Sequence, residues 1–315
     1  MRKKTEEFLR KGYFVRTQRS VIFSVLFMLA AALAQPVLGA VDGLPPVVSP
    51  AALAERLAAA PGSVAILDAR PSMKAYIAGH IAGAQAVGVD SFRSTAGGVP
   101  GTLFPWDMVH FVAHRLGLTS AVPVVVYSEE SDIEATYVAT VLRTAGVKQV
   151  SVLDGGFKRW TAEKRAVTAE RKPVAASTEA FTPRPADLIA LDEVKKAVET
   201  KSAVLLDARP LEAYDKGHLP GAKSRFWMKD IVPAGQPDAG SFRSEAELKV
   251  ELEAMGVTAA TPVIVYCNTG QQASSLFYTL RYRLGYANVR LYNGSWLEWS
   301  ITPGLPKEVA ATPAS

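Results

Sequence analysis

An internal repeat constrains the fold of this 315-residue chain more than any other feature. The letters Asp-Ala-Arg-Pro occur at 68–71 and again at 207–210, which is 139 residues later. The letters Gly-His-x-x-Gly-Ala follow at 79–84 and at 217–222, so the order of the motifs is kept. In each copy the first motif ends a short apolar run, which is typical of a buried strand in a parallel sheet. The repeat therefore predicts two copies of one α/β unit of roughly 120 residues.

The only cysteine of the chain, Cys267, stands at the start of a polar loop in the second copy. The β-branched run 263–266 before it predicts a buried strand, and the apolar spacing over 273–284 predicts a helix. The thiol is therefore expected at the carboxyl end of a strand, where open α/β sheets bind ligands. Amide N–H groups at a helix start favour negative charge, so we expect the thiol pKa to lie below its usual value of about 8.5. This position favours a functional cysteine over a core cysteine.

The amino terminus holds most of the excess positive charge. Residues 1–40 carry a net charge of +5, equal to that of the whole chain, so the remainder is near neutral and predicts no nucleic-acid partner. A basic start, an apolar run at 21–34 and small residues up to position 40 form the pattern of a secretory signal peptide, with cleavage after Ala34 or near 39–40. The run is shorter than the roughly 20 residues of a spanning helix. We therefore expect a periplasmic or secreted protein with no membrane association after cleavage.

The repeat and the composition together divide the chain into five segments. These are a signal peptide at 1–40, a first domain at 46–165, a linker at 166–184, a second domain at 185–304 and a tail at 305–315. Within the first domain, residues 96–101 are expected to form a glycine-rich loop.

Taken in order, the motifs resemble those of a tandem-domain rhodanese, a sulfurtransferase of the thiosulfate/3-mercaptopyruvate class. The resemblance covers 47–303 and includes Tyr-Cys-x-x-Gly at 266–270 and the paired segments 154–156 and 293–295. It implies an α/β fold of two rhodanese-like domains, each a parallel five-stranded sheet flanked by helices, with the active site between them. It also implies a persulfide on Cys267 as the intermediate.

The loop after Cys267 suits that intermediate. Gly270 can turn successive backbone N–H groups inward, and such a nest stabilises an anion on the terminal sulfur. Side-chain hydroxyls and amides of the loop could add further donors. The expected substrate-binding residues of the loop are Asn268, Thr269, Gly270, Gln271, Gln272 and Ala273.

The first copy departs from this pattern. Ser128 takes the place of Cys267, and four acidic residues follow it within 129–134. A hydroxyl is a poor nucleophile without an activating base, and the acids would repel an anionic donor. The first domain is therefore expected to be non-catalytic and to form one wall of the cleft. A hydrolase site made by Ser128 and His80 is the alternative.

Four residues outside the loop are candidates for supporting roles. Asp207 and Arg209 are expected to form a buried or half-buried ion pair that fixes the loop after the first strand, although Arg209 could instead lend positive potential to the thiolate. His218 is expected to brace its turn through backbone hydrogen bonds. Arg225 has no counterpart in the first copy and is the predicted substrate cation.

The sequence leaves the sulfur donor open. In the family, basic residues after the cysteine accompany thiosulfate, and a small neutral pair accompanies mercaptopyruvate. The pair at 268–269 is neutral and favours mercaptopyruvate or a protein-bound persulfide, whereas export favours thiosulfate. The expected acceptor is cyanide or a thiol, and a protein acceptor is also allowed. Four scattered histidines and one cysteine predict no metal site, and we expect no cofactor beyond the persulfide.

Two further functions are weighed against turnover. A phosphatase of a related fold would need arginine at position 273, which is alanine here, so the phosphate would lack its bidentate partner. A sulfur carrier or sensor would load a persulfide on Cys267 without turnover.

Overall fold

The computed structural model describes residues 43–309. The predicted signal peptide at 1–40 lies outside these residues. The first domain contains β1 (Val47–Val48), α1 (Pro50–Ala59), β2 (Ala65–Asp68), α2 (Met73–Ala78), β3 (Gln85–Ala86), β4 (Arg93–Ala96), β5 (Val99–Leu103), α3 (Trp106–Arg115), β6 (Val124–Tyr127), α4 (Ile133–Thr144), β7 (Val150–Leu153) and α5 (Gly156–Ala162). The second domain contains α6 (Leu191–Thr200), β8 (Val204–Asp207), α7 (Leu211–Asp215), β9 (Lys223–Ser224), α8 (Glu245–Ala254), β10 (Val263–Tyr266), α9 (Gln271–Tyr278), β11 (Val289–Leu291) and α10 (Ser295–Ile301).

Both domains are parallel sheets flanked by helices, as the alternating strand and helix patterns predict. The strand order is β1-β7-β6-β2-β3 in the first sheet and β11-β10-β8-β9 in the second. The second sheet thus has four strands rather than five. The place that β1 takes in the first sheet is occupied in the second sheet by Leu188, which makes only an isolated bridge with Leu291. A strand does not form there because a 3-10 turn at Pro185–Asp187 ends directly before Leu188. The corresponding strands β6 and β10 lie inside their sheets, so each polar loop that follows them emerges between neighbouring strands.

The segment expected to be a glycine-rich loop at 96–101 is instead part of a β-hairpin. Strands β4 and β5 pair antiparallel, and Gly97 and Gly98 make the turn between them with φ angles of +58° and +79°. Left-handed angles at both turn residues are typical of tight hairpins and favour glycine. The prediction of a loop was wrong because the strands carry no apolar alternation that would reveal them.

The two domains meet along α4 and α9, which pack against each other. Tyr278 of α9 lies in the same buried apolar cluster as residues of the first sheet. Its hydroxyl donates to the carbonyl oxygen of Pro46 at 2.6 Å. The start of α9, and with it the cysteine loop, therefore lies at the domain junction. Within residues 43–309, every helix is too short or too polar to cross a bilayer.

Candidate active site

Cys267 follows the last residue of β10 and precedes α9, as the sequence predicted. Its backbone N–H donates to the hydroxyl of Ser295 at 3.1 Å, and its carbonyl oxygen accepts from the N–H of Trp296 at 3.0 Å. Two hydrogen bonds to the start of α10 thus fix the backbone of the cysteine. The side chain is aimed by the strand into the loop and is only 1% exposed.

Backbone amides surround the sulfur. The N–H of Gly270 donates to the Sγ atom at 3.1 Å, and the N–H groups of Thr269, Gln272 and Ala273 also stabilise the thiolate form. Gly270 caps α9 at a φ of +85°, and a Cβ there would lie 2.6 Å from Oδ1 of Asn293. The turn therefore requires glycine both for its backbone angle and for space. The arrangement is an anion-binding nest at a helix start.

The thiol pKa differs from the sequence expectation. Burial raises the pKa of Cys267, and the four surrounding amides lower it without offsetting that effect. The prediction of a lowered pKa was wrong because it counted the amide and helix contributions and not the loss of solvent around the sulfur. Burial therefore disfavours the thiolate in this structure, and the surrounding amides oppose that effect in part.

The hairpin of the first domain covers the cysteine loop. A Cβ on Gly101 would lie 2.9 Å from the Cβ of Thr269 and 3.1 Å from its carbonyl oxygen. The side-chain amide of Asn293 donates to the carbonyl oxygen of Gly101 at 3.0 Å. The first domain is thus one wall of the site, as expected from the sequence.

Gln271 joins the loop to two charged residues of the first domain. Its Oε1 accepts from Nη1 of Arg93 at 2.9 Å, and its Nε2 donates to Glu134 at 3.2 Å. Sequence reasoning missed Arg93, which lies on β4, because the hairpin itself was missed. A Gly-Gly pair between two short polar segments was the available signal.

Asp207, Arg209 and His218 brace the neighbouring turn. Asp207 and Arg209 form an ion pair of 2.6 Å with side chains at most 5% exposed, and Arg209 also donates to the carbonyl oxygen of Gly217 at 2.6 Å. The ring of His218 stacks on Tyr214 at 3.8 Å, and its Nδ1 lies 2.9 Å from the Tyr214 carbonyl oxygen. These contacts hold the backbone after β8 and leave Arg209 neutralised by its partner.

The structure does not bring Arg225 to the cysteine loop as an available cation. Its side chain is 1% exposed and pairs with Asp230 at 2.6 Å and with Glu251 at 3.5 Å. Burial raises the pKa of Asp230, and the charge of Arg225 opposes that shift. Because two carboxylates already pair with this guanidinium, it is not available to bind an anionic sulfur donor. The position of Arg225 in the sequence does not indicate these pairings.

The corresponding loop of the first domain contains an acidic side chain of its own. The hydroxyl of Ser128 donates to the carboxylate of Asp132, and the N–H of Glu130 donates to the same carboxylate at 3.3 Å. Burial, with the nearby charge of Glu134, raises the pKa of Asp132 to about 7. The Ser128 loop is thus closed by a side-chain hydrogen bond to Asp132, whereas the Cys267 loop presents backbone amides to the sulfur.

His80 is not positioned to activate Ser128. Both of its ring nitrogens face backbone carbonyl oxygens, at 2.9 Å in Tyr76 and 3.1 Å in Glu170. The structure therefore does not assemble the alternative hydrolase pair. Across the described range 43–309, no group of three or more His, Cys, Asp and Glu side chains is arranged to hold a metal ion.

Comparison with known proteins places these loops in a family. The sequence model of the rhodanese-like domain matches residues 49–163 and 190–302. The chain is 32% identical over 256 residues to a putative thiosulfate sulfurtransferase of Synechococcus elongatus, covering 77% of this chain and 79% of that protein. It is 29% identical over 266 residues to the sulfur carrier protein TtuD of Thermus thermophilus, covering 77% and 90%.

A solved structure is similar over both domains. The crystal structure of SseA from Escherichia coli, described as a 3-mercaptopyruvate sulfotransferase with the rhodanese fold, superposes with a TM-score of 0.70 at 25% identity. The match covers 80% of this chain and 99% of that one. The chain is therefore a sulfurtransferase of the rhodanese type and belongs to the rhodanese family, with two rhodanese-like domains in tandem.

Proposed function

We propose that the chain transfers a sulfane sulfur from thiosulfate or 3-mercaptopyruvate to cyanide or a thiol through a persulfide on Cys267. The observation that carries this proposal is the ring of backbone N–H groups around the sulfur of the only cysteine, with the Gly270 N–H at 3.1 Å. A persulfide is an anion at neutral pH, and fixed amide dipoles stabilise it without reorganisation. The names of the similar proteins support the two donors.

The transfer has two steps in which charge and atoms balance. The Cys267 thiolate attacks the outer sulfur of the donor and forms an S–S bond. With thiosulfate, the bond to the sulfonate breaks and sulfite leaves with the electron pair. With mercaptopyruvate, the C–S bond breaks and the leaving enolate takes the proton that the donor thiol carried, which gives pyruvate. Cyanide then attacks the terminal sulfur of the persulfide, leaves as thiocyanate and restores the thiolate.

A sulfur carrier is the second candidate, because one similar protein is named as a carrier. Both functions load one sulfur on Cys267, and they differ in whether the chain is used repeatedly. A protein acceptor would replace cyanide in the second step without changing the first.

Cyanolysis by the purified chain separates the two. With thiosulfate and with 3-mercaptopyruvate, we expect repeated thiocyanate production that Cys267→Ser abolishes. Ser128→Ala is the matched control, because Ser128 occupies the corresponding position of the first domain and should leave turnover unchanged. Thiocyanate limited to one equivalent per chain would favour the carrier, and turnover by Cys267→Ser would contradict both.

We further propose that the chain is exported and acts in the periplasm or outside the cell. The support is the basic, apolar and small-residue pattern at 1–40, together with a single cysteine that cannot form an internal disulfide. Mass spectrometry of the protein from fractionated cells tests this. We expect a periplasmic or secreted chain that begins after Ala34 or near position 40, and a cytoplasmic chain that keeps residues 1–34 would contradict it.

A further inference from the structure

We propose that Arg93 of the first domain binds the oxyanion end of the sulfur donor, a carboxylate or a sulfonate, beside the Cys267 loop. This inference rests on the proposed function and adds a substrate-binding residue to it. The first domain then contributes a substrate-binding side chain, in addition to one wall of the site, while the nucleophile belongs to the second domain.

Arg93 faces the cysteine loop from β4. Its Nη1 donates to Oε1 of Gln271 at 2.9 Å, and Gln271 is the first residue of α9. The guanidinium carbon also lies 5.6 Å from the centroid of the Tyr137 ring. Burial raises the pKa of Tyr137, and the charge of Arg93 opposes that shift. The hydrogen bond to Gln271 is what places the guanidinium beside the loop that follows Cys267.

A cavity lies beside this arginine. It has a volume of about 390 Å³ and lies between the hairpin and the loop, and its walls include Asp90 and Arg93 as well as Gly101 and Thr269. Ligand sites are typically about 300–1,000 Å³. Thr269 belongs to the ring of residues around the sulfur, so a small donor in this cavity lies next to the nucleophile's loop.

Arg93 is the cation available to this loop among residues 43–309. The segment 267–273 carries no charged side chain, and Arg93 is the one cation that hydrogen-bonds it in the described range. The two other candidate arginines already form buried ion pairs, Arg209 with Asp207 and Arg225 with Asp230. An anionic donor that reaches the loop therefore meets Arg93.

The partners of Arg93 leave it able to bind an anion. Its Nε donates to Asp90 at 2.8 Å, but the Asp90 side chain is 87% exposed, and water screens such a pair. Glu134 reaches Gln271 and not the guanidinium. The hydroxyl of Tyr137 is buried without a hydrogen-bond partner among the described residues. A planar guanidinium with Nη2 free of described contacts suits the two oxygens of a carboxylate or sulfonate.

Paired alkylation rates of Cys267 in the full chain test this assignment. Iodoacetate and iodoacetamide differ by one carboxylate, and both attack the same thiolate, so the ratio of their rates cancels any change in the thiol pKa. Loss of a charge-assisted hydrogen bond corresponds to about 10- to 100-fold in binding. We expect Arg93→Gln to lower the iodoacetate to iodoacetamide ratio by about that factor, and Arg93→Lys to lower it less.

The control is Arg115→Gln, which removes an exposed arginine at the end of α3 and should leave the ratio unchanged. A purely structural role of Arg93 would change both rates equally. An unchanged ratio in Arg93→Gln, or failure of both reagents to reach Cys267, would overturn the assignment.

Steady-state kinetics then identify the oxyanion. We expect Arg93→Gln to raise KM with little change in kcat, for mercaptopyruvate if the ligand is a carboxylate and for thiosulfate if it is a sulfonate. An unchanged KM for both donors would overturn the assignment. The alkylation ratio needs no turnover, so a chain that fails cyanolysis and keeps an Arg93-dependent ratio would refute the proposed turnover and not the anion site.

Discussion

Substitution of Gly101 by alanine tests whether the hairpin of the first domain covers the catalytic loop. Gly98 provides the matched control, since both glycines have a φ of +79° on the same hairpin. A left-handed non-glycine residue costs roughly 1–2 kcal/mol, and both variants carry that cost. They differ in contact. The Cβ of Ala at 101 would lie 2.9 Å from the Cβ of Thr269, whereas nothing lies within 4 Å of a Cβ at 98.

Carbon atoms pack at about 3.5–4.0 Å, so in Gly101→Ala the hairpin or the loop must move. Overpacking of this kind costs about 1–3 kcal/mol, and that cost falls on the closed arrangement. Since each 1.4 kcal/mol is a factor of ten, the open arrangement should become about 5- to 140-fold more populated.

The assay is the rate at which iodoacetamide labels Cys267 under native conditions. We expect labelling in Gly101→Ala to exceed that in Gly98→Ala by the same factor, and Gly98→Ala to label close to the wild-type rate. Equal labelling of the two variants would refute the reasoning, because the sulfur would then be reached by a path that the hairpin does not close.

Two further predictions concern buried charges. The folded state holds the proton of Asp132 more tightly than the unfolded chain does. Its contribution therefore lowers the free energy of unfolding as pH rises from about 4 to about 7, by on the order of 4 kcal/mol. Asp132→Asn should flatten this part of the pH dependence in urea midpoints at pH 5 and pH 8, and an unchanged slope would contradict the buried-carboxyl account. Arg225→Met leaves Asp230 buried without its partner and should lower the free energy of unfolding by about 3–5 kcal/mol. The KM of the folded protein for its sulfur donor should stay unchanged. A raised KM would instead indicate that Arg225 binds the donor.

The elements that the sequence predicted best are those with strong local signals. Strand 263–266 was predicted at its observed bounds, because four apolar residues follow a proline and precede a polar loop. The loop itself was predictable because Gly270 and the helix start after it specify a turn with inward amides. The buried pair of Asp207 and Arg209 follows from two charges at the end of a buried strand.

The parts that could not be predicted depend on tertiary packing, within one domain or between the two. Arg93 and Gln271 are 178 positions apart, and nothing in either segment indicates that they meet. The raised pKa of Cys267 follows from burial, because the sulfur lies in an apolar cluster with residues such as Leu206 and Leu276 from other elements of its own domain. Arg225 was assigned from its place after a motif. Its pairing depends on Asp230, which ends a 3-10 turn at Trp227–Asp230, and on Glu251 of α8.

Mass spectrometry of the intact chain after treatment with donor tests the central claim most directly. We expect a gain of about 32 Da, one sulfur atom, that peptide mapping assigns to Cys267. The gain should persist in Ser128→Ala, be absent in Cys267→Ser and be lost when cyanide is added. No gain with either donor, or a sulfur on another side chain, would contradict the account.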